Sequence, residues 1–319
     1  MNRIAINLLT AALLAVCSCG ARQAAAAVSD DAVQQTPEQT SVVAELPLPT
    51  VPATLVKPVD RANYIIEHFW DAMDFRDTLR SRNEDFIEQN FVNYASVFPY
   101  ADPSVRKSAA LELLKRAHEA DEKAFMLLTD TAEKYLYEME SPMRNEEVYI
   151  SFLEAVVELP GLDDVHKIRP GYQLEAALKN RPGTTATDFT YITRDGRYKT
   201  LRKTSCGDYL LLVFYDPDCE HCKEVMALLS AEPLLDRLVA EGRITVLAVD
   251  ANGGNRELWE SGIDLLPATW TAGLETGRLY EAGLYVLRSM PTLYLLDSHN
   301  TVILKEPSPE SLIEYLSVN

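Results

Sequence analysis

Two cysteines, Cys219 and Cys222, stand between a continuous apolar run and a helical pattern, and this order constrains the fold more than any other feature. The run Tyr209–Tyr215 is apolar along its length, as a strand buried on both faces requires. Residues 223–230 follow with apolar side chains at helical spacing. A cysteine at a helix start lies beside free backbone N–H groups and the positive end of the helix dipole, which stabilise a thiolate. The order therefore favours a reactive dithiol at a strand-to-helix turn.

Other uses of this C-x-x-C pair are disfavoured. A four-ligand zinc site normally needs a second pair of ligands, and the remaining cysteines are scattered along the chain: Cys17, Cys19 and Cys206. Three histidines in the middle of the chain make no i,i+4 pair: His68, His118 and His166. A structural disulfide seldom begins a helix directly after a buried strand. We therefore predict no metal site, and Cys206 has no assigned role.

The last third of the chain has the pattern of an α/β domain, which we predict over residues 181–319. Further elements are a hairpin at 188–196, a buried strand at 244–249, strands at 292–296 and 302–304, and a closing helix at 308–318. These elements predict a mixed central sheet flanked by helices. Three aromatic residues before the strand at 292 are interpreted as packing, with a substrate groove as the weaker alternative for the tryptophans: Trp259, Trp270 and Tyr280.

Residues 57–180 have helical periodicity and predict a separate all-α domain of five or six helices. One apolar stripe consists of Ala62, Ile65, Ile66, Phe69, Trp70 and Met73. Trp70, Tyr135 and Tyr149 are interpreted as core residues. Pro142 is predicted in the first turn of a helix, and the run 141–147 as a solvated helix start rather than a contact surface.

The first nineteen residues predict an export signal. A short positive start is followed by the apolar run 4–16, which is too short to span a bilayer comfortably. Small residues before Cys19 resemble the lipobox of bacterial lipoproteins, so Cys19 is the predicted lipidation site, with Cys17 as the competing register and an ordinary cleaved signal as the alternative. Residues 20–56, rich in proline and without aromatic residues, predict a flexible tether.

The charge balance excludes one class of partner. The chain carries 48 acidic and 30 basic residues, a formal net charge of −18. Binding of nucleic acid needs a basic face to meet the phosphates. We therefore predict no nucleic-acid partner, and no docking on anionic lipid by charge alone.

The order strand, C-x-x-C, helix, followed about 70 residues later by Met290-Pro291-Thr292 ahead of a strand, resembles the thioredoxin fold. The resemblance is strongest to the TlpA/ResA-like thiol–disulfide oxidoreductases of the bacterial envelope. The helical part is similar to a domain of unknown function that precedes such domains in bacterial lipoproteins. The resemblance implies that Cys219 is the nucleophile, that Cys222 resolves the mixed disulfide, and that Pro291 is a cis-proline facing them. It implies no cofactor besides the redox-active disulfide.

The chain departs from that family around the dithiol. Glu220 and His221 replace Gly-Pro and act in opposite senses, because a carboxylate disfavours a nearby thiolate and a protonated imidazole favours it. Asp218 replaces the usual aromatic residue and is a candidate for proton transfer or for helix capping. Tyr215 replaces the strand-end tryptophan, and Val213 stands where thioredoxins carry a buried aspartate, so a proton relay must come from elsewhere. The predicted tuning and groove residues are Glu220, His221, Asp218, Tyr215, Met290 and Thr292.

Together these patterns predict a thiol–disulfide oxidoreductase that exchanges disulfides with protein clients, with reduction or isomerisation favoured over oxidation. It is expected to be lipid-anchored in the envelope of a Gram-negative-type bacterium, facing the periplasm, and recharged by an upstream reductant. A non-enzymatic binding lipoprotein, acting through the helical domain on an unknown partner, is the alternative. A peroxiredoxin-type peroxidase is disfavoured because Asp216, rather than Ser or Thr, stands three residues before Cys219.

Overall fold

The computed structural model describes residues 45–319 except 253–254, 278 and 280–281, with the backbone alone at residue 265. The predicted signal peptide, the lipobox with Cys17 and Cys19, the tether as far as residue 44, and Tyr280 lie outside the described residues. Within the described part, no helix has the length and apolar character needed to cross a bilayer.

Residues 58–178, the helical region, form seven α-helices and one 3-10 turn around a single apolar core. The helices are α1 (Pro58–His68), α2 (Thr78–Ser81), α3 (Glu84–Ala95), α4 (Pro103–Ala120), α5 (Glu122–Leu136), α6 (Glu146–Glu158) and α7 (Asp164–Leu178). The prediction of five or six helices was therefore too low. The four-residue α2, capped by the side chain of Asp77, is too short to produce a periodic pattern.

Aromatic rings fill the centre of the helical core. Tyr94 is fully buried, and its ring lies between 4.7 and 6.5 Å from five neighbouring rings, measured between centroids: Phe69, Trp70, Phe91, Phe98 and Phe152. Such rings combine a large apolar area with favourable edge-on contacts. Trp70 and Tyr149 are buried, as the sequence predicts, whereas Tyr135 is half-buried and donates its hydroxyl to Glu88 at 2.8 Å.

Part of the segment predicted as a tether is packed against the helices. Leu46 is buried in the helical core, and its backbone N–H donates to the Asn90 side chain at 2.7 Å. Residues 45–56, predicted as the end of a flexible tether, are therefore attached to the helices at this point. Val51 and Leu55 are half-buried, whereas Leu48 and Val56 are exposed.

Helix α6 begins later than predicted. The side-chain oxygen of its N-cap residue, Asn145, accepts a hydrogen bond from Val148 N at 3.1 Å. Since this satisfies a free N–H of the first turn, the helix begins at Glu146, and Pro142 lies in the preceding turn instead of in the helix. Residues 137–145 thus form a connecting segment between α5 and α6.

Residues 190–318, the sheet region, contain a seven-stranded mixed sheet with the order β2-β1-β5-β4-β3-β6-β7. The strands are β1 (Thr190–Thr193), β2 (Tyr198–Thr200), β3 (Tyr209–Tyr215), β4 (Ile244–Asp250), β5 (Thr271–Glu275), β6 (Thr292–Asp297) and β7 (Val302–Lys305). β4 runs parallel to both of its neighbours, and the other pairs are antiparallel. This arrangement confirms the predicted fold class.

Strand β5 was not predicted. Its sequence contains Gly273, which breaks the apolar pattern, yet the glycine is needed because a Cβ there would lie 2.9 Å from the ring of Tyr191. Glycine inside a strand often marks such a close approach. The strand is therefore specified by its neighbours β1 and β4 more than by its own composition.

Four helices pack against one face of the sheet, and residues outside these helices, such as Phe189 and Tyr285, complete the core of the other face. The helices are α8 (Glu220–Ser230), α9 (Pro233–Ala240), α10 (Arg256–Gly262) and α11 (Pro309–Val318). Side chains of α8, α9 and α11 share one core with alternate residues of β3 and β4. Trp270 is buried in that core, and Trp259 is buried in a small cluster with Ile263 and Leu274, so both are packing residues as predicted.

The helical and sheet regions meet at the end of β7. The Lys305 side chain is only 4% exposed, and its Nζ donates to the carbonyls of Ala177 and Lys179 at 3.0 and 2.9 Å. It also forms an ion pair of 2.7 Å with Glu146. The ammonium thereby satisfies carbonyls at the C-terminal end of α7, where the helix dipole favours a cation.

Glu306 extends this contact. Its Oε2 accepts from Arg144 at 3.1 Å and from Arg288 at 2.9 Å, and its backbone carbonyl accepts from Arg144 at 2.7 Å. We call these five residues, Glu146, Lys305, Glu306, Arg144 and Arg288, the domain seam. The interpretation of residues 141–147 as a solvated helix start is therefore wrong, because Arg144 and Glu146 bind the sheet region.

The seam predicts the effect of one substitution. Lys305→Met should lower the free energy of unfolding by about 3 kcal/mol, because it leaves the Glu146 carboxylate partly buried without its cation. Burial already raises the pKa of Glu146 against the opposing effect of Lys305. Urea unfolding at pH 7 measures the change. The control Lys199→Met, at an exposed position of β2, should change the value by less than about 0.5 kcal/mol; equal effects of the two would contradict the assignment.

Candidate active site at the dithiol turn

The turn between β3 and α8 is built by the residues around Asp216. Its Oδ1 accepts from Asp218 N at 2.8 Å, and its carbonyl accepts from Cys219 N at 3.1 Å. The N-cap position of α8 is occupied by Cys219 itself, whose sulfur accepts from Cys222 N at 3.3 Å. The capping role considered for Asp218 is therefore wrong, and its side chain is exposed.

The two thiols are free and differ in accessibility. Cys219 is half-buried and faces the carbonyl of Met290 across 3.8 Å, whereas Cys222 is 1% exposed. Burial raises the pKa of Cys222 to about 12, with smaller contributions from Cys219 and from the charge of Asp216. The backbone N–H of Asp216, 3.5 Å from the Cys222 sulfur, opposes this shift. At neutral pH Cys222 is thus a protonated thiol, and Cys219 is the sulfur open to an incoming disulfide.

The Met290–Pro291 segment lies against the dithiol. Its peptide bond is cis, the form that the resemblance implies for Pro291. Met290 is half-buried and packs against the cores on both faces of the sheet. Thr292 is buried at the start of β6 and donates its hydroxyl to the Ser289 carbonyl at 2.5 Å. The loop before β6 is thereby held beside Cys219.

The two residues between the cysteines project from the helix surface. Glu220 is exposed and pairs with Lys223 at 3.1 Å, while His221 is exposed and lies 3.6 Å from Glu224. Exposed pairs of this kind are weakened by solvent and salt. Both predicted tuning residues therefore lie on the exposed surface of α8.

A buried carboxylate that the sequence did not indicate lies on the same side of the sheet as Cys222. Asp250 ends β4, is the register partner of Tyr215 and is fully inaccessible to solvent. Its Oδ1 accepts from Asn252 N at 2.8 Å, and Asn252 Nδ2 donates to Asp216 Oδ1 at 3.2 Å. Asp250 Oδ2 and the Tyr215 hydroxyl have no hydrogen-bond partner among the residues that the structure describes.

Burial, with smaller contributions from the charges of Asp216, Asp218 and Glu275, raises the pKa of Asp250 to about 6, and the hydrogen bond from the Asn252 backbone opposes this shift. The sequence signal for this group is slight: a single acid closing an otherwise apolar strand. Val213, at the position where a relay aspartate was expected, lies one strand away in the core under α8. Asp250 is thus a buried titratable group supplied by the strand next to β3.

The third described cysteine, Cys206, lies apart from the dithiol. Cys206 is half-buried beside the opposite core of the sheet, where burial and the charge of Asp297 raise its pKa. No cluster of three metal-ligating side chains occurs among the described residues.

Comparison with solved structures identifies the family. The crystal structure of a thioredoxin-like protein from Bacteroides caccae ATCC 43185 is 35% identical and covers 86% of this chain and 98% of its own, with a TM-score of 0.77. The chain belongs to the thioredoxin-like proteins. This confirms the resemblance drawn from the strand, dithiol and helix.

Other matches cover parts of this thioredoxin-like chain. A conserved protein of unknown function from Bacteroides fragilis is 37% identical over 43% of this chain and 98% of its own, with a TM-score of 0.41. A thiol-disulfide oxidoreductase from Bacteroides fragilis NCTC 9343 is 24% identical over 42% of this chain and 98% of its own, with a TM-score of 0.37. A domain of unknown function, DUF5106, matches residues 24–180. No curated protein matches the chain.

The buried carboxylate predicts a pH dependence of stability. Because the pKa of Asp250 is about 6 in the folded chain and about 4 in an unfolded one, its contribution to stability is present below pH 4 and is lost between about pH 4 and pH 6. Between pH 4.5 and pH 7.5 the parent should lose about 2 kcal/mol more unfolding free energy than Asp250→Asn. Urea unfolding at both pH values measures this. Asp236→Asn, the same charge change at an exposed site of α9, should keep the slope of the parent; a parent-like slope for Asp250→Asn would refute the assignment.

Proposed function

We propose that the protein is a thiol–disulfide oxidoreductase that acts on disulfides of other proteins through Cys219 and Cys222. The observation that carries the proposal is the asymmetry of the two sulfurs at the start of α8. The half-buried Cys219 caps the helix next to Met290–Pro291, and the buried Cys222 is held protonated one turn away. Because a thiolate is the attacking species, the accessible sulfur at the positive end of the helix is the first nucleophile.

The reaction proceeds in two exchanges. The Cys219 thiolate attacks one sulfur of the client disulfide, forms a mixed disulfide and releases the second client sulfur as a thiolate. Cys222 then loses its proton and attacks the Cys219 sulfur, which closes the Cys219–Cys222 disulfide and releases the first client sulfur. The client gains two electrons and two protons, and the dithiol is oxidised by the same amount.

The second exchange needs an acceptor for the Cys222 proton. The Asp216 N–H stabilises a thiolate at Cys222, and Asp216 is hydrogen-bonded through Asn252 towards Asp250. Above about pH 6 the buried Asp250 carboxylate is ionised and can accept a proton. We assign Asp250 as the group that takes up this proton.

We further propose that reduction or isomerisation of clients is favoured over oxidation. The oxidised Cys219–Cys222 pair would then be reduced again by an upstream reductant.

Cysteine variants test the proposal. Cys219→Ser should abolish reduction of insulin in the presence of dithiothreitol, to below about 1% of the parent rate, because no nucleophile remains at the accessible position. Cys222→Ser should instead accumulate a mixed disulfide with its client, visible as a reducible band on gel electrophoresis. The control Cys206→Ser should reduce insulin at the parent rate. Parent-like reduction of insulin by Cys219→Ser would refute the proposal, and a parent that reduces no insulin would favour the alternative of a binding lipoprotein that acts through its helices.

We also propose that the chain is lipid-anchored at Cys19 in the envelope of a Gram-negative-type bacterium and faces the periplasm. The support is the positive start, the apolar run and the small residues before Cys19. In cells fed an alkyne analogue of palmitate, Cys19→Ala should lose the label and Cys17→Ala should keep it. Labelling of the Cys19→Ala chain would point to Cys17, and an unlabelled parent would exclude the anchor.

A further inference from the structure

A cleft of about 660 Å³ opens beside the dithiol, and both regions of the molecule line it. The sheet region contributes His221 and Val225 from α8 together with the segment 289–293, which contains Pro291. The helical region contributes part of the segment between α5 and α6, including Ser141 and Pro142. Strand β7 and residues 306–309 complete the lining. An occupant of this cleft would therefore touch the helical region while it lies next to the dithiol.

The helical wall of the cleft is fixed in place by the domain seam. Arg144 follows Pro142 by two residues and is hydrogen-bonded to both the carboxylate and the carbonyl of Glu306. Glu146 is bound to the buried Lys305 at 2.7 Å. Ser141 accepts from Met143 N at 3.2 Å and donates to the Tyr135 carbonyl at 2.5 Å, which shapes the turn. The wall is thus part of the folded unit, with its position set by groups on both sides.

The charged groups of the lining already have partners. Glu147 is bound to Arg181, and His221 lies 3.6 Å from Glu224. Arg144 and Arg288 bind Glu306, and Lys305 binds Glu146. The groups left for an occupant are ring and aliphatic carbons together with two serine hydroxyls: Pro142, Pro291, Pro307, Ile303, Leu304, Ser289 and Ser311. A charged occupant would lose its water without gaining a counter-ion here, which is costly. The lining therefore matches an uncharged segment with apolar side chains.

The volume of the cleft further restricts which kind of molecule could occupy it. A volume of about 660 Å³ is in the range of sites that enclose a molecule of several hundred daltons, and a single side chain would leave most of it empty. A short stretch of extended polypeptide fills such a space and offers backbone groups to the hydroxyls. Neither cysteine lines the cleft, but His221, which lies between them in sequence, and Pro291 do. A stretch that enters the cleft would therefore lie near a disulfide held at Cys219.

We propose that this cleft binds an uncharged, extended segment of a client polypeptide next to the disulfide under attack, and that Pro142 in the helical region is a specificity-determining residue. The proposal rests on the proposed function. It gives the helical region a direct role in choosing clients at the dithiol, in place of a separate partner of its own.

The test compares three disulfides in single turnovers of the pre-reduced full chain. Two are synthetic peptides with one disulfide each, flanked either by alanine and valine or by glutamate, and the third is 2-hydroxyethyl disulfide. Pro142→Trp fills the helical side of the cleft. It should lower the rate constant for the neutral peptide about tenfold or more and leave that for 2-hydroxyethyl disulfide within about twofold. The parent should react with the neutral peptide about tenfold faster than with the acidic one.

Two matched variants control for the substitution. Pro142→Ala removes the ring without filling the cleft, and Leu79→Trp adds an aromatic ring at an exposed site outside it. Leu79→Trp should react with the neutral peptide at the parent rate, and Pro142→Ala should keep more of that rate than Pro142→Trp. Parent-like reaction of Pro142→Trp with that peptide would overturn the cleft proposal alone, and so would an equal slowing with 2-hydroxyethyl disulfide. A parent that reacts with none of the three disulfides would overturn the proposed function as well.

Discussion

The buried ammonium of Lys305 connects the helical region to the sheet region that carries the dithiol. One nitrogen satisfies the last carbonyls of α7, pairs with the first residue of α6, and belongs to the edge strand of the sheet. The following residue, Glu306, receives both Arg144 and Arg288. A cation buried in this way is tolerated only with complete partners, so the helices and the sheet are held in one arrangement. The position of the α5–α6 segment beside the dithiol follows from that arrangement.

The chemistry of the site follows from where α8 begins. With Cys219 as the N-cap, its sulfur receives a backbone N–H and stays accessible, while Cys222 turns into the core beneath β3. The same geometry places Asp216 between Cys222 and the Asn252–Asp250 pair. Two identical side chains three residues apart thus differ in accessibility, because one caps the helix and the other is buried.

The parts of the fold that sequence predicts are those carried by contiguous patterns. Strand β3, the start of α8 and the strands β6 and β7 each lie within a short stretch whose composition matches its burial. Strand β5 was not predicted because Gly273 is required by the close approach of the Tyr191 ring, and Tyr191 lies some 80 residues earlier in the chain. Asp250 was missed because a lone acid at a strand end becomes a buried group only once β3 and α8 cover it. The seam pairs Arg144 with Glu306, a contact that no local pattern indicates.

Two electrostatic effects act against acidic clients, one from the net charge of the chain and one from the lining of the cleft. At long range, a chain with a formal charge of −18 slows the approach of acidic clients. At contact, the lining offers no unpaired cation to offset the lost hydration of a client carboxylate, since its arginines and Lys305 are bound to glutamates. Both effects act against acidic segments, but only the second depends on the helical region. Discrimination that survives high salt would therefore come from the cleft and its helical wall, because long-range repulsion is screened within about 10 Å at 0.1 M salt.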